Sequence, residues 1–269
     1  MKIGIAQLNS NDNIQNNLNQ IKKIILDAQR EKPELIVFPE NSLFFRIDQA
    51  ATVQAIGLDD SSVTELKDIC AITGIKIHFT TAVFEDGRVF NASVLIDTAR
   101  NASIVYKKIH LFDIELSNQK PTRESDVFTH GSLPAVLNID ELKIGSSICY
   151  DIRFSELYSV YAKAEVDLIL VPAAFLVKTG QAHWEVLLRA RAIESQCYVI
   201  AAAQSGTHRS STSELWRETY GHSMIIDPWG EIKEVRTDGV GILFADINRG
   251  LIEEVRKQIP MRSHRRIDL

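Results

Sequence analysis

No run of this 269-residue sequence is apolar enough to cross a bilayer as a helix. The longest, Leu168–Val177, has ten residues and is interrupted by Pro172, against the roughly 20 that a spanning helix needs. The segment Met1–Asn9 reads as a short buried strand, with neither an h-region nor a small-residue cleavage site, so a cytoplasmic protein without a membrane partner is expected. Cysteine is scarce: Cys70, Cys149 and Cys197 are an odd number at wide spacing, which suits free thiols in a reducing compartment better than a disulfide framework. Neither Cys-x-x-Cys nor His-x-x-x-His occurs, so no metal site is expected. Also missing are the Gly-x-x-x-x-Gly-Lys-Ser/Thr and Gly-x-Gly-x-x-Gly phosphate loops and the Gly-x-Ser-x-Gly elbow of serine hydrolases. Basic clusters are lacking outside the short tail Arg262–Arg266, and 30 Lys+Arg against 35 Asp+Glu give a net charge of −5, which argues against a nucleic-acid partner.

What is present is an ordinary globular composition, 45% hydrophobic and 24% charged, which excludes wholesale disorder. At roughly 150 residues per domain the length fits two domains or one large α/β unit. No linker-like break in composition occurs, and residues 1–269 read as a single domain. Apolar periodicity predicts strand Lys2–Leu8, a helix near Asn13–Glu31, strand Glu34–Phe38, a helix near Ser62–Thr73, then strands Ile75–Phe84, Arg88–Asp97 and Ala102–Lys107, the first two joined at Asp86-Gly87. The same order follows again: strand Leu142–Ile148, a helix near Arg153–Lys163, strand Asp167–Val171, a helix near His183–Ser195, and strands near Tyr198–Gln204, Thr219–Ile226 and Glu231–Val235. Lys2-Ile3-Gly4 matches Lys143-Ile144-Gly145, and Glu34-Leu35-Ile36 matches Asp167-Leu168-Ile169. Two related β-rich halves, packed as layers and covered by helices, are expected.

Cys149 lies where a buried strand meets the next helix, at the carboxyl end at which α/β proteins bind ligands and near amides that favour a thiolate. The ordinary reading of an apolar-flanked cysteine is packing, but the polar run Tyr150-Asp151-Ile152-Arg153 follows at once. Cys70 and Cys197 read as core residues. Glu40 follows the run Leu35–Pro39, so a carboxylate stands at the mouth of a buried strand; helix capping is its alternative role. On the half-to-half alignment Glu40 faces Ala173 and Cys149 faces Leu8, so each reactive group occurs once, as one composite site would require. Lys107 and Lys108 close the first half; strand alternation points them to opposite faces, leaving one free to turn inward. His110 and His183 are possible partners for a cysteine nucleophile, with structural hydrogen bonding as the alternative.

Phe38-Pro39-Glu40-Asn41-Ser42, Tyr106-Lys107-Lys108-Ile109-His110-Leu111-Phe112-Asp113 and Ile148-Cys149-Tyr150-Asp151-Ile152-Arg153-Phe154, in that order, resemble the three motifs of the nitrilase superfamily of carbon–nitrogen hydrolases. The resemblance covers essentially the whole chain. It implies a four-layer αββα sandwich with an internal pseudo-two-fold repeat, a homodimer, and no metal or organic cofactor. It places the carboxylate base on Glu40, the lysine on Lys108, the nucleophile on Cys149 and a second glutamate on Glu124, with the amide N–H of Tyr150 as an oxyanion donor beside Lys108. Departures are small: Lys107 stands where arginine is common, Ser155 where proline usually follows Arg-Phe, and Glu165 where glycine is frequent. Within the superfamily, Thr179–Glu194, Tyr220–Met224, Asp227–Gly230 and His264–Arg266 look like the Nit branch of deaminated glutathione amidases, with the ω-amidases as nearest neighbours. That implies cleavage of a small amide carrying carboxylates, deaminated glutathione to 2-oxoglutarate and Cys-Gly, through a cysteine thioester. The alternatives are α-ketoglutaramate or another short dicarboxylic monoamide, or a catalytically silent binding protein. Arg153, His183 and Arg209 are the cations expected to meet the substrate carboxylates.

Overall fold

Asn13 caps the first helix, its side chain accepting the N–H of Asn16 at 3.0 Å, and beyond it Leu18, Ile21, Ile25 and Ala28 recur on one buried face. The computed structural model of the chain describes residues 1–115 and 122–267. In order, the chain forms β1 (Lys2–Gln7), α1 (Ile14–Ala28), β2 (Leu35–Val37), α2 (Ser61–Thr73), β3 (Lys76–Glu85), β4 (Arg88–Ile96) and β5 (Ala102–Lys107). A two-residue pairing, β6 (Asp113–Ile114) with β7 (Thr122–Arg123), leads to β8 (Ala135–Ile139), β9 (Leu142–Ser146), α3 (Ser155–Lys163), β10 (Leu168–Leu170), α4 (Val177–Ser195) and β11 (Tyr198–Ala201). The hairpin β12 (Ser205–Arg209) and β13 (Trp216–Tyr220) precedes β14 (Ser223–Ile226), β15 (Ile232–Arg236), β16 (Gly241–Asp246) and α5 (Arg249–Gln258).

The strands make two six-stranded sheets of one design. The first runs β16-β1-β2-β3-β4-β5 and the second β8-β9-β10-β11-β14-β15. In each, three parallel strands are flanked by one antiparallel strand on one side and two on the other. Side-chain alternation then sorts the layers. Ile3, Ile5, Leu35 and Val37 of the first sheet meet Ile144, Leu168, Leu170 and Ile200 of the second in a core between the sheets. Ala6, Ile36, Ile77 and Phe79 turn the other way, onto α1 and α2. Ile169, Val199 and Ile226 likewise pack under Tyr158, Trp184 and Leu188 of α3 and α4. The layers are therefore α, β, β, α, and each fully buried branched aliphatic contributes about 1.5–3 kcal/mol to holding them together.

The expected repeat is present, and the differences from expectation have local causes. β8, β16 and α5 went unread; β8 and β16 are edge strands, half-exposed along much of their length, with little apolar signal. The strand expected near Thr219–Ile226 is two strands, because Gly221 and His222 both take positive φ between them. α4 starts at Val177, six residues earlier than read. Gly180, which looks like a helix break, sits inside it because a Cβ there would overlap the Tyr220 ring. Among the described residues no helix is long and apolar enough to cross a membrane.

Candidate active site

The repeat puts Glu40 three residues past the end of β2 and Cys149 three residues past the end of β9. Both strands end at the same edge of the sandwich, so halves remote in sequence meet there. Ala174, just beyond Glu40's counterpart Ala173, donates its N–H to Glu40 Oε2 at 3.0 Å. Asn41 at φ 58° turns the chain after Glu40, and the buried Gln204 donates to the Glu40 carbonyl at 2.9 Å while also hydrogen-bonding Ser10. Glu40 is thus fixed from both sheets, and only 3% of it is exposed.

Lys107 and Lys108 part as alternation requires. Lys107 pairs with Glu85 and lies 4.3 Å from the centre of the Phe90 ring. Lys108 turns inward, with its N–H held by the Asn91 carbonyl at 2.9 Å. Its Nζ lies 2.9 Å from Glu40 Oε1 and 2.8 Å from Glu124 Oε2. Asn91 Nδ2 bridges the same two carboxylates at 2.8 and 2.9 Å. Glu124, on a short 3₁₀ turn, also accepts the Phe112 N–H at 2.7 Å. Burial alone would pull the Lys108 ammonium down; the charges of Glu124 and then Glu40 outweigh it and hold the group well above its ordinary value.

Cys149 opens a five-residue 3₁₀ turn and has φ 47°, a left-handed conformation that costs a non-glycine residue about 1–3 kcal/mol. Two contacts enforce it: Cys149 N–H donates to the Pro172 carbonyl at 2.9 Å, and Ile148 N–H donates to Asp151 Oδ2 at 2.9 Å. The fully buried Asp151 also accepts Tyr106 O–H at 2.7 Å and His110 N–H at 2.9 Å. One carboxylate therefore ties the nucleophile turn to the segment that carries Lys108. Burial, then the Glu40 carboxylate, push the Cys149 thiol well above its ordinary value, against a smaller opposing pull from Lys108 and the Ala174 N–H. The expectation that helix amides favour a thiolate meets an opposing environment here: burial and the adjacent carboxylate disfavour the ionised sulfur, so attack calls for a base in contact with the thiol. A thiol, a carboxylate in contact with it and an ammonium beside that carboxylate are the groups that acyl transfer calls for.

A cleft opens onto this cluster. Glu40, Lys108, Glu124, Cys149, Tyr150 and Arg153 line it. His183 does not; it is exposed and hydrogen-bonds Arg153 from behind at 3.1 Å. Arg209 is exposed at the end of β12 and lies outside the lining as well. Two arginines that sequence reasoning missed take its place, Arg46 and Arg217. Arg46 could have been suspected, since it follows the Glu40 motif in Asn41-Ser42-Leu43-Phe44-Phe45-Arg46. Gln204, Asn91 and Arg217 carried no such signal. Among the described residues no group of three or more His, Cys, Asp or Glu side chains is placed to hold a metal ion.

A sequence profile of the carbon–nitrogen hydrolase family matches residues 2–257. The deaminated glutathione amidase of Rattus norvegicus is 36% identical over 99% of this chain and 83% of its own length. That of Synechocystis is 37% identical over 96% of both. Among solved structures, the Caenorhabditis elegans NitFhit protein superposes with a TM-score of 0.87 at 32% identity, covering 98% of this chain and 65% of the longer fusion protein. Saccharomyces cerevisiae Nit3, a member of branch 10 of the nitrilase superfamily, superposes with a TM-score of 0.82 at 26% identity over 99% of this chain and 97% of its own.

Proposed function

This chain belongs to the carbon–nitrogen hydrolase family and is an amide-hydrolysing enzyme, and we propose that it cleaves deaminated glutathione to 2-oxoglutarate and Cys-Gly through a thioester on Cys149, with residues 1–269 acting as one catalytic unit. The observation that carries the substrate is the charge of the cleft. Among the described residues its lining holds four cations, Arg46, Lys108, Arg153 and Arg217, against two carboxylates, Glu40 and Glu124. The excess of two positive charges matches a substrate with a carboxylate at each end, whereas α-ketoglutaramate brings only one.

In the proposed reaction the scissile carbonyl lies over Cys149 Sγ. Glu40 takes the thiol proton as the S–C bond forms, and the carbonyl oxygen gains the charge. Lys108 has three N–H donors, of which Glu40 and Glu124 occupy two directions; the third, with the Tyr150 N–H, receives the oxyanion. Protonated Glu40 gives its proton to the amine nitrogen as the C–N bond breaks, leaving the thioester. Ionised again, Glu40 deprotonates the water that attacks the thioester, and the proton returns to the departing sulfur. Glu124 holds Lys108 on station. The expected result is a kcat/KM at least tenfold higher for deaminated glutathione than for α-ketoglutaramate, about 1.4 kcal/mol of transition-state discrimination. A tenfold preference for the shorter amide would make the protein an ω-amidase and leave the chemistry of Cys149 untouched.

The same reading includes a homodimer in the cytoplasm. It is supported by the exposed apolar residues Val160 of α3 and Val186 and Ile193 of α4, with Trp229 exposed beyond β14, and by three buried, unpaired cysteines. Light scattering at micromolar concentration should give twice the chain mass, with the activity in the cytosolic fraction of cells; a monomer mass or a membrane-bound activity would remove these parts.

A further inference from the structure

We propose that Arg46 and Arg217 form a carboxylate subsite for the leaving group, so that the enzyme reads the far end of the departing amine as well as the acyl part of its substrate. The inference rests on the reading of the site as a deaminated glutathione amidase and deepens it.

Arg217 is held as a tool rather than as a surface charge. One of its guanidinium N–H groups donates to the Arg46 carbonyl at 2.9 Å, and the group lies 5.3 Å from the centre of the Phe45 ring. Phe45 is itself clamped: His208 stacks on it at 4.4 Å, and both His208 ring nitrogens are occupied, by Ser10 O at 2.6 Å and Thr219 Oγ1 at 2.7 Å. Arg46 side chain meets only the neutral Gln49, at 3.1 Å. Among the described residues neither arginine has a carboxylate within ion-pair distance, although both line the cleft. Burial, and then the neighbouring Arg46, pull the Arg217 guanidinium below its ordinary value; burial does the same to Arg46. Two half-buried guanidinia with unused donors and, among the described residues, no carboxylate in direct contact are costly in isolation. They suit a planar carboxylate, which takes paired N–H groups from each.

Position assigns the pair to the leaving group. Arg46 follows Glu40 by six residues on the same segment, and Arg217 is anchored to that segment through the Arg46 carbonyl, so the pair belongs to the Glu40 arm of the cleft rather than to the turn that carries Cys149. Arg153 belongs to the nucleophile turn itself, 5.7 Å from the Tyr150 ring centre and 5.3 Å from that of Phe175. In a tetrahedral adduct on Cys149 the amine must point at Glu40 to receive its proton, which carries the amine's substituent toward Arg46 and Arg217. The acyl chain then leads back to Arg153. A primary amide, whose leaving group is ammonia, has nothing to offer the pair.

The test compares three substrates on the wild type: deaminated glutathione, its analogue with the terminal glycine carboxylate converted to a carboxamide, and α-ketoglutaramate. The carboxamide is expected to lose about 30-fold in kcat/KM, mostly as a raised KM. Arg217→Gln should lower the ratio of kcat/KM for deaminated glutathione over α-ketoglutaramate by a similar factor and erase the difference between the acid and the carboxamide, with Arg217→Lys intermediate. A wild type indifferent to the carboxamide, or an Arg217→Gln enzyme that keeps the acid-over-carboxamide preference, overturns the subsite. If the wild type instead prefers α-ketoglutaramate, it is the substrate reading that falls. The comparison on the wild type needs no folded variant.

Discussion

Replacing Cys149 with alanine is expected to lower kcat by about 10⁴-fold or more for any amide the wild type cleaves, with the fold retained. The thiol is the only group in the cluster able to form the acyl intermediate. Glu40 and Lys108 without it can do no more than polarise water. Alanine keeps the Cβ, so the turn at φ 47° and its contacts to Pro172 and Asp151 are unaffected. It removes the thiol's hydrogen bond to Glu40, so the thermal midpoint should fall by no more than a few degrees. Mass spectrometry of the wild type quenched with a slow substrate should show an acyl adduct on Cys149 that the variant lacks. Substantial turnover by Cys149→Ala would sink the thioester mechanism outright.

Lys108→Met is the second large effect, and it should strike activity and stability together. Loss of the cation removes an oxyanion donor, costing about 10²–10³-fold in kcat. It also leaves Glu40 and Glu124 facing each other across a buried space, where breaking a buried pair costs about 3–5 kcal/mol. The pH dependence separates this from a packing defect. In the variant a carboxylate in that space holds its proton to a higher pH than it would unfolded, so the penalty is full at neutral pH and shrinks as acid supplies the proton. Urea midpoints of wild type and variant should therefore converge between pH 7 and pH 5. In the wild type the sign is the same, but the window lies in the alkaline range. Lys108 and Cys149 are both held protonated above their ordinary values, so the stability they contribute is complete below the unfolded values and is lost as the pH rises through the folded ones. Equal destabilisation of Lys108→Met at both pH values would show that the ammonium is not what balances the two carboxylates.

Glu40, Lys108 and Cys149 could be singled out before any fold was known, because each lies in a motif that resembles one of the family's three, and Glu124 only because the same resemblance places a second glutamate there. The repeat was visible for a different reason: buried parallel strands are short apolar runs with little latitude in composition. Asn91, Gln204 and Asp151 were not. Their function is to satisfy hydrogen bonds from remote segments, Asp151 to Ile148 and Tyr106, Gln204 to Glu40 and Ser10, and a single polar residue in a strand or turn carries no mark of what it will face. Arg209 and Arg217 illustrate the limit most sharply. They lie eight residues apart on the two arms of one hairpin, and nothing in their neighbours predicts that Arg217 lines the cleft while Arg209 faces away from it. Local pattern by itself determined the layers and the repeat, since these depend on periodicity that is written consecutively, whereas the proposed reacting groups were picked out by the resemblance to a family. Which cations line the cleft, and that burial and Glu40 oppose ionisation of Cys149, only the tertiary structure decided, because both depend on charge and burial summed over segments that the sequence keeps far apart.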